Sequence, residues 1–321
     1  MAFLANDHLD PGAVTTPTTA AAGFHHALPD YAPTPVRELA GGLLVKDESD
    51  RLGLPAFKIL GASWAVERAL ALAPGTATLV AASAGNHGRA VAHEAARRGL
   101  ACRVFLPERS LAARRDAIAA EGAEVVVVDG TYERCVALAR EAGSESGTLE
   151  IADVGDSRPA HDVIDGYATL FDEAAGQVDF GLLVVPVGVG SLAAAAARFG
   201  ARAGIPVVGV EPRAAACLTA SLAAGEPTVV DTPGTTMAGL DCAEVSPAAW
   251  PDLRAGIAGT ITITDEEAAA ARRELVAAGL YIGESGAAPL AAVRQEDGAI
   301  GDAERMLLVA TEGPTGDPPA G

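Results

Sequence analysis

Short apolar runs alternate with stretches of helical periodicity along most of the chain. The apolar runs predict strands at 43–45, 78–83, 101–107, 123–129, 148–152, 181–185, 206–211, 260–263 and 305–310. The helical spacing predicts helices at 86–98, 110–121, 131–142, 163–175, 191–203, 265–278 and 286–294. Such alternation is typical of parallel sheets flanked by helices, so we expect an α/β fold.

The chain has 321 residues, which is long enough for two domains. We expect a small mobile domain at 79–160, inserted into a large domain made from 1–78 and 161–321. Residues 1–30 are rich in Thr, Pro, Ala and Gly and lack periodicity. They are predicted to form an irregular arm of the large domain.

Charge and composition argue against several kinds of partner. The formal net charge of −19 disfavours nucleic acid and anionic membranes. No apolar run approaches the ~20 residues of a membrane span, and the N-terminus lacks the pattern of a signal peptide. The four cysteines are widely spaced without a CxxC pair, which is typical of reduced thiols. We therefore expect a cytoplasmic protein without nucleic-acid or membrane partners.

Lys58 has an unusual setting for a surface charge. It follows Pro55-Ala56-Phe57 and precedes apolar residues at helical spacing. Burial would lower the pKa of this amine, and such an amine can form a Schiff base. The alternative is a lysine at a helix start whose head group extends to solvent.

Two glycine-containing turns follow predicted strands, at the sheet edge where ligands bind in α/β folds. Residues 83–88 (SAGNHG) begin a helix and suit a substrate carboxylate, unless they form an ordinary turn with Asn86 as N-cap. Residues 186–192 (PVGVGSL) can present N–H groups of Gly188, Gly190 and Ser191 to a phosphate. This turn lacks the third glycine of the dinucleotide fingerprint and the P-loop lysine, so it supports neither NAD nor ATP well.

A third motif, residues 309–313 (VATEG), places the hydroxyl of Thr311 at the end of the last strand. Alone it could be a plain strand-ending threonine. Pyridoxal phosphate requires a Schiff-base lysine, a phosphate site and a partner for its pyridine nitrogen. The motifs together meet these requirements, so the sequence predicts pyridoxal 5′-phosphate as cofactor.

Eight motifs, in the same order, resemble the fold-type II (tryptophan-synthase-β-like) pyridoxal-phosphate enzymes, and within them the diaminopropionate ammonia-lyases. These motifs are YAPTPV (31–36), LVKDESDRLGLPAFKILGAS (44–63), GNHGRAVA (85–92), DGYATLFDEA (165–174), VEPRAAAC (210–217), MAGL (237–240), GESGA (283–287) and TEG (311–313). The resemblance covers about residues 31–315. It implies a two-domain fold with the cofactor in the cleft between the domains.

The resemblance also implies roles for single residues. The expected cofactor ligands are Lys58 for the Schiff base, Asn86 for the phenolic oxygen, Gly188, Val189, Gly190 and Ser191 for the phosphate, and Thr311 for the pyridine nitrogen. Asp153 matches a family aspartate proposed as an acid/base group, unless it is a loop or N-cap aspartate. The residues expected to contact substrate are Ser83, Ala84, Gly85 and His87.

Two positions depart from the relatives that the chain resembles. Diaminopropionate ammonia-lyases carry an acid directly before GNHG and related racemases carry a serine, whereas this chain has Ala84. Alanine cannot move a proton, so we expect turnover of the L-enantiomer only. Cation-binding relatives use a carboxylate where this chain has Cys217, so Glu211 would lack a hard oxygen partner. We therefore expect no metal and a structural Glu211.

The implied reaction is α,β-elimination from a small L-amino acid, with 2,3-diaminopropionate giving pyruvate and ammonia. We expect a homodimer. An L-serine or L-threonine dehydratase and a β-replacement synthase are alternatives with the same cofactor residues. Two alternatives come from other classes: a pyridoxal-phosphate-binding protein without turnover, and a nucleotide-dependent oxidoreductase built on the Gly188 turn.

Overall fold

The computed structural model describes residues 3–295 and 305–314. Over these residues there are eleven strands: β1 (Phe3–Ala5), β2 (Val36–Leu39), β3 (Leu43–Asp47), β4 (Thr78–Ala82), β5 (Ala101–Pro107), β6 (Glu124–Val128), β7 (Thr148–Glu150), β8 (Leu182–Pro186), β9 (Val207–Pro212), β10 (Gly259–Ile263) and β11 (Met306–Ala310).

The same residues form eleven α-helices: α1 (Ala20–His26), α2 (Lys58–Leu72), α3 (Asn86–Arg97), α4 (Ala112–Ala120), α5 (Tyr132–Gly143), α6 (Arg158–Gln177), α7 (Ser191–Ala203), α8 (Cys217–Ala224), α9 (Trp250–Gly256), α10 (Asp265–Ala277) and α11 (Glu284–Val293). Every strand and helix predicted from residue 78 onward is present. The expected α/β fold is confirmed.

The chain divides into two compact units. The first unit comprises Met1–Phe57 and Tyr167–Gly321, and the second comprises Lys58–Gly166. The boundaries expected from the sequence were at 78/79 and 160/161. The structure instead groups α2 with the second unit, where it packs against α3. That the smaller part moves as a domain stays a prediction.

The first unit contains a seven-stranded sheet of order β1-β10-β9-β8-β11-β3-β2. Its five central strands are parallel, while β1 and β2 pair antiparallel at the edges. Strands β8 and β9 are buried along their whole length. Continuous apolar burial is expected of parallel strands covered on both faces.

The second unit contains a four-stranded, fully parallel sheet of order β6-β5-β4-β7. Its small core includes Val80, Phe105 and Cys135. Strand β4 is a central strand of this sheet, and β5 pairs with it as far as its last residue, Ala82. The turn that follows β4 carries the SAGNHG motif.

The N-terminal 30 residues are more ordered than the predicted irregular arm. Strand β1 pairs with β10, and helix α1 follows in the same segment. The backbone N–H of Thr15 donates to Asp252 Oδ1 over 2.8 Å. The partners of β1 and Thr15 lie more than 200 residues away in the sequence, at 259–261 and 252, so local periodicity could not reveal them.

A buried ion cluster fixes the segment that leads to Lys58. The Arg51 guanidinium donates to Glu48 Oε1 over 2.6 Å and to Glu173 Oε1 over 2.6 Å, and Lys46 Nζ donates to Glu173 Oε2 over 2.8 Å. Tyr31 also hydrogen-bonds Glu173. Two cations thus neutralise two carboxylates, as burial of charge requires.

No helix among residues 3–295 and 305–314 is long and apolar enough to cross a membrane. The four cysteines all lie within these residues and form no disulfide. Burial raises the pKa of the Cys102 thiol to about 12. This cysteine is therefore a small apolar core residue at neutral pH.

Glu211 lies fully buried in β9 and holds the first turn of α8. It accepts hydrogen bonds from the backbone N–H groups of Leu218 and Thr219, over 2.7 and 2.8 Å, and from Thr219 Oγ1 over 2.6 Å. Burial raises the pKa of Glu211 to about 7, although these hydrogen bonds by themselves lower it. In the described part of the chain, no three His, Cys, Asp or Glu side chains are grouped to hold a metal. The contacts of Glu211 are those of a helix cap.

We predict that Glu211 makes the protein less stable as the pH rises from about 4.5 to about 7. Its folded pKa lies above its ordinary value of 4.5, so in this window the folded state binds a proton that the unfolded state has released. The free energy of unfolding should fall across the window by on the order of 1–3 kcal/mol.

Urea unfolding at pH 5 and pH 8 measures this effect. Glu211→Gln cannot titrate and should lose most of the decrease. Glu226→Gln, which changes an exposed carboxylate just after α8, should keep the wild-type pH dependence. An equal decrease in wild type and Glu211→Gln would contradict the prediction.

Candidate active site

The residues assigned to the cofactor and substrate fall into two sets, one in each unit. Lys58, the 83–88 turn and Asp153 lie in the second unit. The Gly188–Ser191 turn and Thr311 lie in the first unit.

Lys58 begins α2 and pairs with Asp153. Its Nζ lies 2.9 Å from Asp153 Oδ2, and the two side chains are 22% and 11% exposed. Burial alone would raise the pKa of Asp153, but the neighbouring His87 and Lys58 charges and the hydrogen bond from Lys58 hold this pKa at about 2. Asp153 is therefore a carboxylate at neutral pH, and the amine of Lys58 lies beside it rather than in bulk solvent.

The chain contains two lysines, Lys46 and Lys58. Lys46 is fully buried, and its ammonium bonds Glu173 and the backbone carbonyl of Thr34, at 2.8 and 2.7 Å. A Schiff base there would break these bonds inside the ion cluster. Lys58 is partly exposed, so it is the lysine placed to react with an aldehyde.

His87 lies against Asp153 and the loop that carries it, and its expected substrate contact stays a prediction. The ring is 2% exposed, its Nε2 lies 2.8 Å from the Ile151 carbonyl oxygen and its Nδ1 lies 3.7 Å from Asp153 Oδ2. Burial lowers the pKa of His87. Nothing in the sequence spacing connects positions 87 and 153, so this pairing depends on the fold.

The 83–88 turn is a compact connection between β4 and α3. Gly85, not Asn86, is the N-cap residue, and Asn86 is the first helical residue. The hydroxyl of Ser83 accepts a hydrogen bond from the N–H of Gly85 over 3.2 Å. A Cβ on Gly88 would lie 2.2 Å from the Ser83 carbonyl oxygen, so only glycine lets the helix start this close to the strand. The N-cap Gly85 has no side chain to cap α3, and an uncapped helix start is suited to an anion.

The Gly188–Ser191 turn has the shape of a phosphate cradle. Gly190 is the N-cap of α7 and adopts φ +97°, a left-handed conformation that glycine reaches at low cost. A Cβ there would lie 2.5 Å from Leu253 Cδ1. Ser191 starts the helix and is buried, and no side chain caps the helix. The first N–H groups of α7 therefore suit the phosphate of the predicted cofactor.

Thr311 follows β11 and is joined through its backbone to the segment before Lys58. Its carbonyl oxygen accepts a hydrogen bond from the N–H of Phe57 over 3.2 Å, and the N–H of Gly313 donates to Pro55 over 2.9 Å. Phe57 is the residue directly before Lys58. These two bonds hold the segment directly before Lys58, and the sequence did not predict them.

Two further side chains, to which the sequence assigned no role, bond the backbone from helix starts. Tyr132 OH donates to the Ala82 carbonyl oxygen over 3.1 Å, at the last residue of β4. The hydroxyl of Ser285 accepts from the N–H of Gly239 over 3.2 Å. Ser285 belongs to the GESGA motif, whereas nothing in the sequence pointed to Tyr132.

Comparison with known proteins gives a family match. Residues 27–312 match the family described as pyridoxal-phosphate dependent enzymes. A diaminopropionate ammonia-lyase from Salmonella typhimurium is 34% identical over 276 residues, which cover 72% of this chain and 68% of that protein. A biosynthetic L-threonine dehydratase from Haemophilus influenzae is 34% identical over 198 residues, covering 59% of this chain and 36% of that protein.

A solved structure shares the fold over nearly the full length. It is the diaminopropionate ammonia-lyase from Escherichia coli in complex with an aminoacrylate–pyridoxal-phosphate azomethine reaction intermediate. The two chains superpose with a TM-score of 0.87 and 30% sequence identity, covering 98% of this chain and 94% of that one. The predicted fold-type II architecture is confirmed.

Proposed function

We propose that this chain, which belongs to the family of pyridoxal-phosphate-dependent enzymes, catalyses an α,β-elimination from a small L-amino acid. The proposed substrate is 2,3-diaminopropionate, and the products are pyruvate and ammonia. The likeness to diaminopropionate ammonia-lyases over most of the chain, in both sequence and fold, carries this proposal.

The residues of each unit fit the cofactor. When bound, pyridoxal phosphate supplies the electron sink for the charge that develops as the α-proton leaves. The first N–H groups of α7 would hold its phosphate, and Thr311 would face its ring nitrogen. Lys58 would hold its aldehyde carbon, and Asn86 its phenolic oxygen.

Asp153 favours a substrate whose β-substituent is a cation. Its carboxylate is ionised and mostly shielded from water, where attraction to a cation is strengthened. The protonated β-amino group of diaminopropionate is such a cation. When its bond to carbon breaks, it leaves directly as ammonia and needs no further proton.

Serine differs from diaminopropionate in what its leaving group needs. Its β-hydroxyl must gain a proton to leave as water, and a group with a pKa of about 2 is ionised at neutral pH and cannot act as that acid. Lys58 as a neutral amine can remove the α-proton from either substrate. The difference between the substrates therefore lies in the leaving group.

The proposal predicts that 2,3-diaminopropionate is turned over faster than serine or threonine. General acid catalysis is worth about 10²–10⁴-fold, so kcat/KM for L-serine should be lower by that order. The cofactor-loaded enzyme is assayed for pyruvate, 2-oxobutyrate and ammonia. Diaminopropionate should release two molecules of ammonia for each pyruvate.

Asp153→Asn, which keeps the shape and removes the charge, should lower kcat/KM for diaminopropionate by about 10²-fold and that for serine much less. Asp156→Asn, at an exposed carboxylate in the same loop, is the matched control and should leave both values unchanged. Equal or faster release of 2-oxobutyrate from threonine would make the chain a dehydratase. Absence of any keto acid would point to a binding protein without turnover.

Ala84 bears on which enantiomer of the substrate reacts. It lies in the 83–88 turn without a group that moves a proton, and its neighbour Ser83 already bonds the N–H of Gly85. D-2,3-diaminopropionate should therefore react about 10²–10⁴-fold more slowly than the L-form. Ala84→Asp should raise the D-rate and preserve the L-reaction. Comparable initial rates of the two enantiomers in the unmodified enzyme would disprove this role.

The expected homodimer and cytoplasmic location stay predictions from the sequence.

A further inference from the structure

The GESGA motif (residues 283–287) has no part in the proposed reaction, yet its helical turn packs against backbone on two sides. It begins α11, and both Ser285 and Gly286 are buried. On one side, the N–H of Gly239 donates to Ser285 Oγ over 3.2 Å. On the other side, a Cβ on Gly286 would lie 3.0 Å from the backbone nitrogen of Thr311. The start of α11 therefore lies against both Gly239 and Thr311.

Gly239 connects Ser285 to the phosphate turn. Its carbonyl oxygen lies so close to Gly188 that a Cβ on Gly188 would approach it to 2.7 Å. Gly239 itself has little room, because a Cβ there would lie 3.1 Å from Ser285 Oγ. It belongs to a tight turn in which the N–H of Leu240 donates to the carbonyl oxygen of Met237 over 2.8 Å. One residue thus contacts Ser285 through its N–H and Gly188 through its carbonyl oxygen.

The two ends of the phosphate turn have different supports. At the helix end, the N–H of Ser246 donates to the Val189 carbonyl oxygen over 2.8 Å, and Leu253 packs against Gly190. At the strand end, Gly239 and Cys242 occupy the side on which a Gly188 side chain would stand. The position of Gly188 therefore depends on where the turn that contains Gly239 is held.

Helix α11 is a firm support for Ser285. Arg272 of α10 donates to the Ile282 carbonyl oxygen over 3.2 Å, and its guanidinium lies 3.2 Å from Glu284 Oε1. The N–H of Gly283 donates to the Glu312 carbonyl oxygen over 2.9 Å. A polar group on an element that is itself held in place positions its partner more precisely than one on a free loop.

Pyridoxal phosphate needs its two contacts in the first unit at a set separation, because its ring nitrogen and its phosphate belong to one small, rigid ring with a short arm. Strands β8 and β11 pair in parallel, with Leu308 opposite Val184, so their carboxyl ends are neighbours. The phosphate turn follows β8 and Thr311 follows β11. The start of α11 lies against Thr311 directly and against the phosphate turn through Gly239, so it can set this separation.

We propose that Ser285 is a positioning residue for the cofactor, which acts through Gly239 to hold the phosphate turn at the distance from Thr311 that pyridoxal phosphate spans. The inference rests on the proposed function, which assigns the phosphate to this turn and the ring nitrogen to Thr311. Ser285 needs no contact with the cofactor. Its contribution is to the affinity for the phosphate-bearing form.

The test compares pyridoxal phosphate with pyridoxal, which lacks the phosphate. The full chain is freed of cofactor by dialysis against hydroxylamine, and both dissociation constants are measured by absorbance titration. Ser285→Ala removes the acceptor of the Gly239 N–H. It should weaken pyridoxal phosphate about three- to tenfold, the effect of one neutral hydrogen bond, and leave pyridoxal within about twofold. The ³¹P NMR signal of the bound phosphate should shift as well.

Ser221→Ala is the matched control. Ser221 is a buried serine of α8 in the same unit, and its Oγ likewise accepts a backbone N–H, that of Thr228, over 2.9 Å. This variant should change neither dissociation constant nor the ³¹P signal. If Ser285→Ala weakens pyridoxal phosphate and pyridoxal equally, or weakens neither, the proposal is overturned.

Gly239→Ala tests the connecting residue. Its added methyl group would lie 3.1 Å from Ser285 Oγ, so this variant should also weaken pyridoxal phosphate more than pyridoxal. Combined with Ser285→Ala, it should cost no more affinity than Gly239→Ala alone, because both changes act through one contact. Additive losses contradict the coupling. If Ser285→Ala does not fold, Gly239→Ala alone decides, since an equal loss of both ligands overturns the proposal.

These titrations contain no amino-acid substrate, so the two proposals fail separately. A wild-type chain that prefers pyridoxal phosphate to pyridoxal but releases no keto acid refutes the proposed reaction alone. A wild-type reaction as proposed, with an unchanged preference in Ser285→Ala, refutes the positioning role alone.

Discussion

A lysine amine and an aspartate carboxylate lie 2.9 Å apart in a setting largely shielded from water. Charges in such a setting must be paired, because an isolated buried charge costs several kcal/mol. Three parts of the second unit meet this requirement together: α2 begins with Lys58, the loop after β7 supplies Asp153, and the start of α3 supplies His87. All three groups belong to the second unit.

In the first unit, the segment that leads to Lys58 is held in place at two points. Arg51, four residues before Pro55, lies in a buried cluster with two carboxylates, so the segment from 47 to 57 is anchored before α2 begins. The backbone bonds that join Pro55 and Phe57 to the 311–313 strand end add a second anchor. Lys46 belongs to this cluster, where its ammonium bonds Glu173. Burial and pairing thus distinguish the fully buried Lys46 from the partly exposed Lys58.

Local periodicity was enough to predict the alternating strands and helices from residue 78 onward, because each of these elements buries one face or is wholly apolar. It failed for β1, which pairs with the distant β10. The motifs at strand ends predicted which residues are candidates for the site. They could not show that His87 faces Asp153, because that pair joins a helix start to a loop residue 66 positions later. Side-chain pairing across a fold has no signature in sequence spacing.

The assignment of the cofactor to Lys58 is tested most directly by reducing the loaded enzyme with borohydride and digesting it with trypsin. Reduction fixes pyridoxal phosphate on the lysine that holds it. Trypsin cleaves after Arg51 and Arg68 but not at a modified Lys58, so mass spectrometry should find the label on the intact peptide 52–68. A label on peptide 38–51, which contains Lys46, or on neither peptide would contradict the assignment.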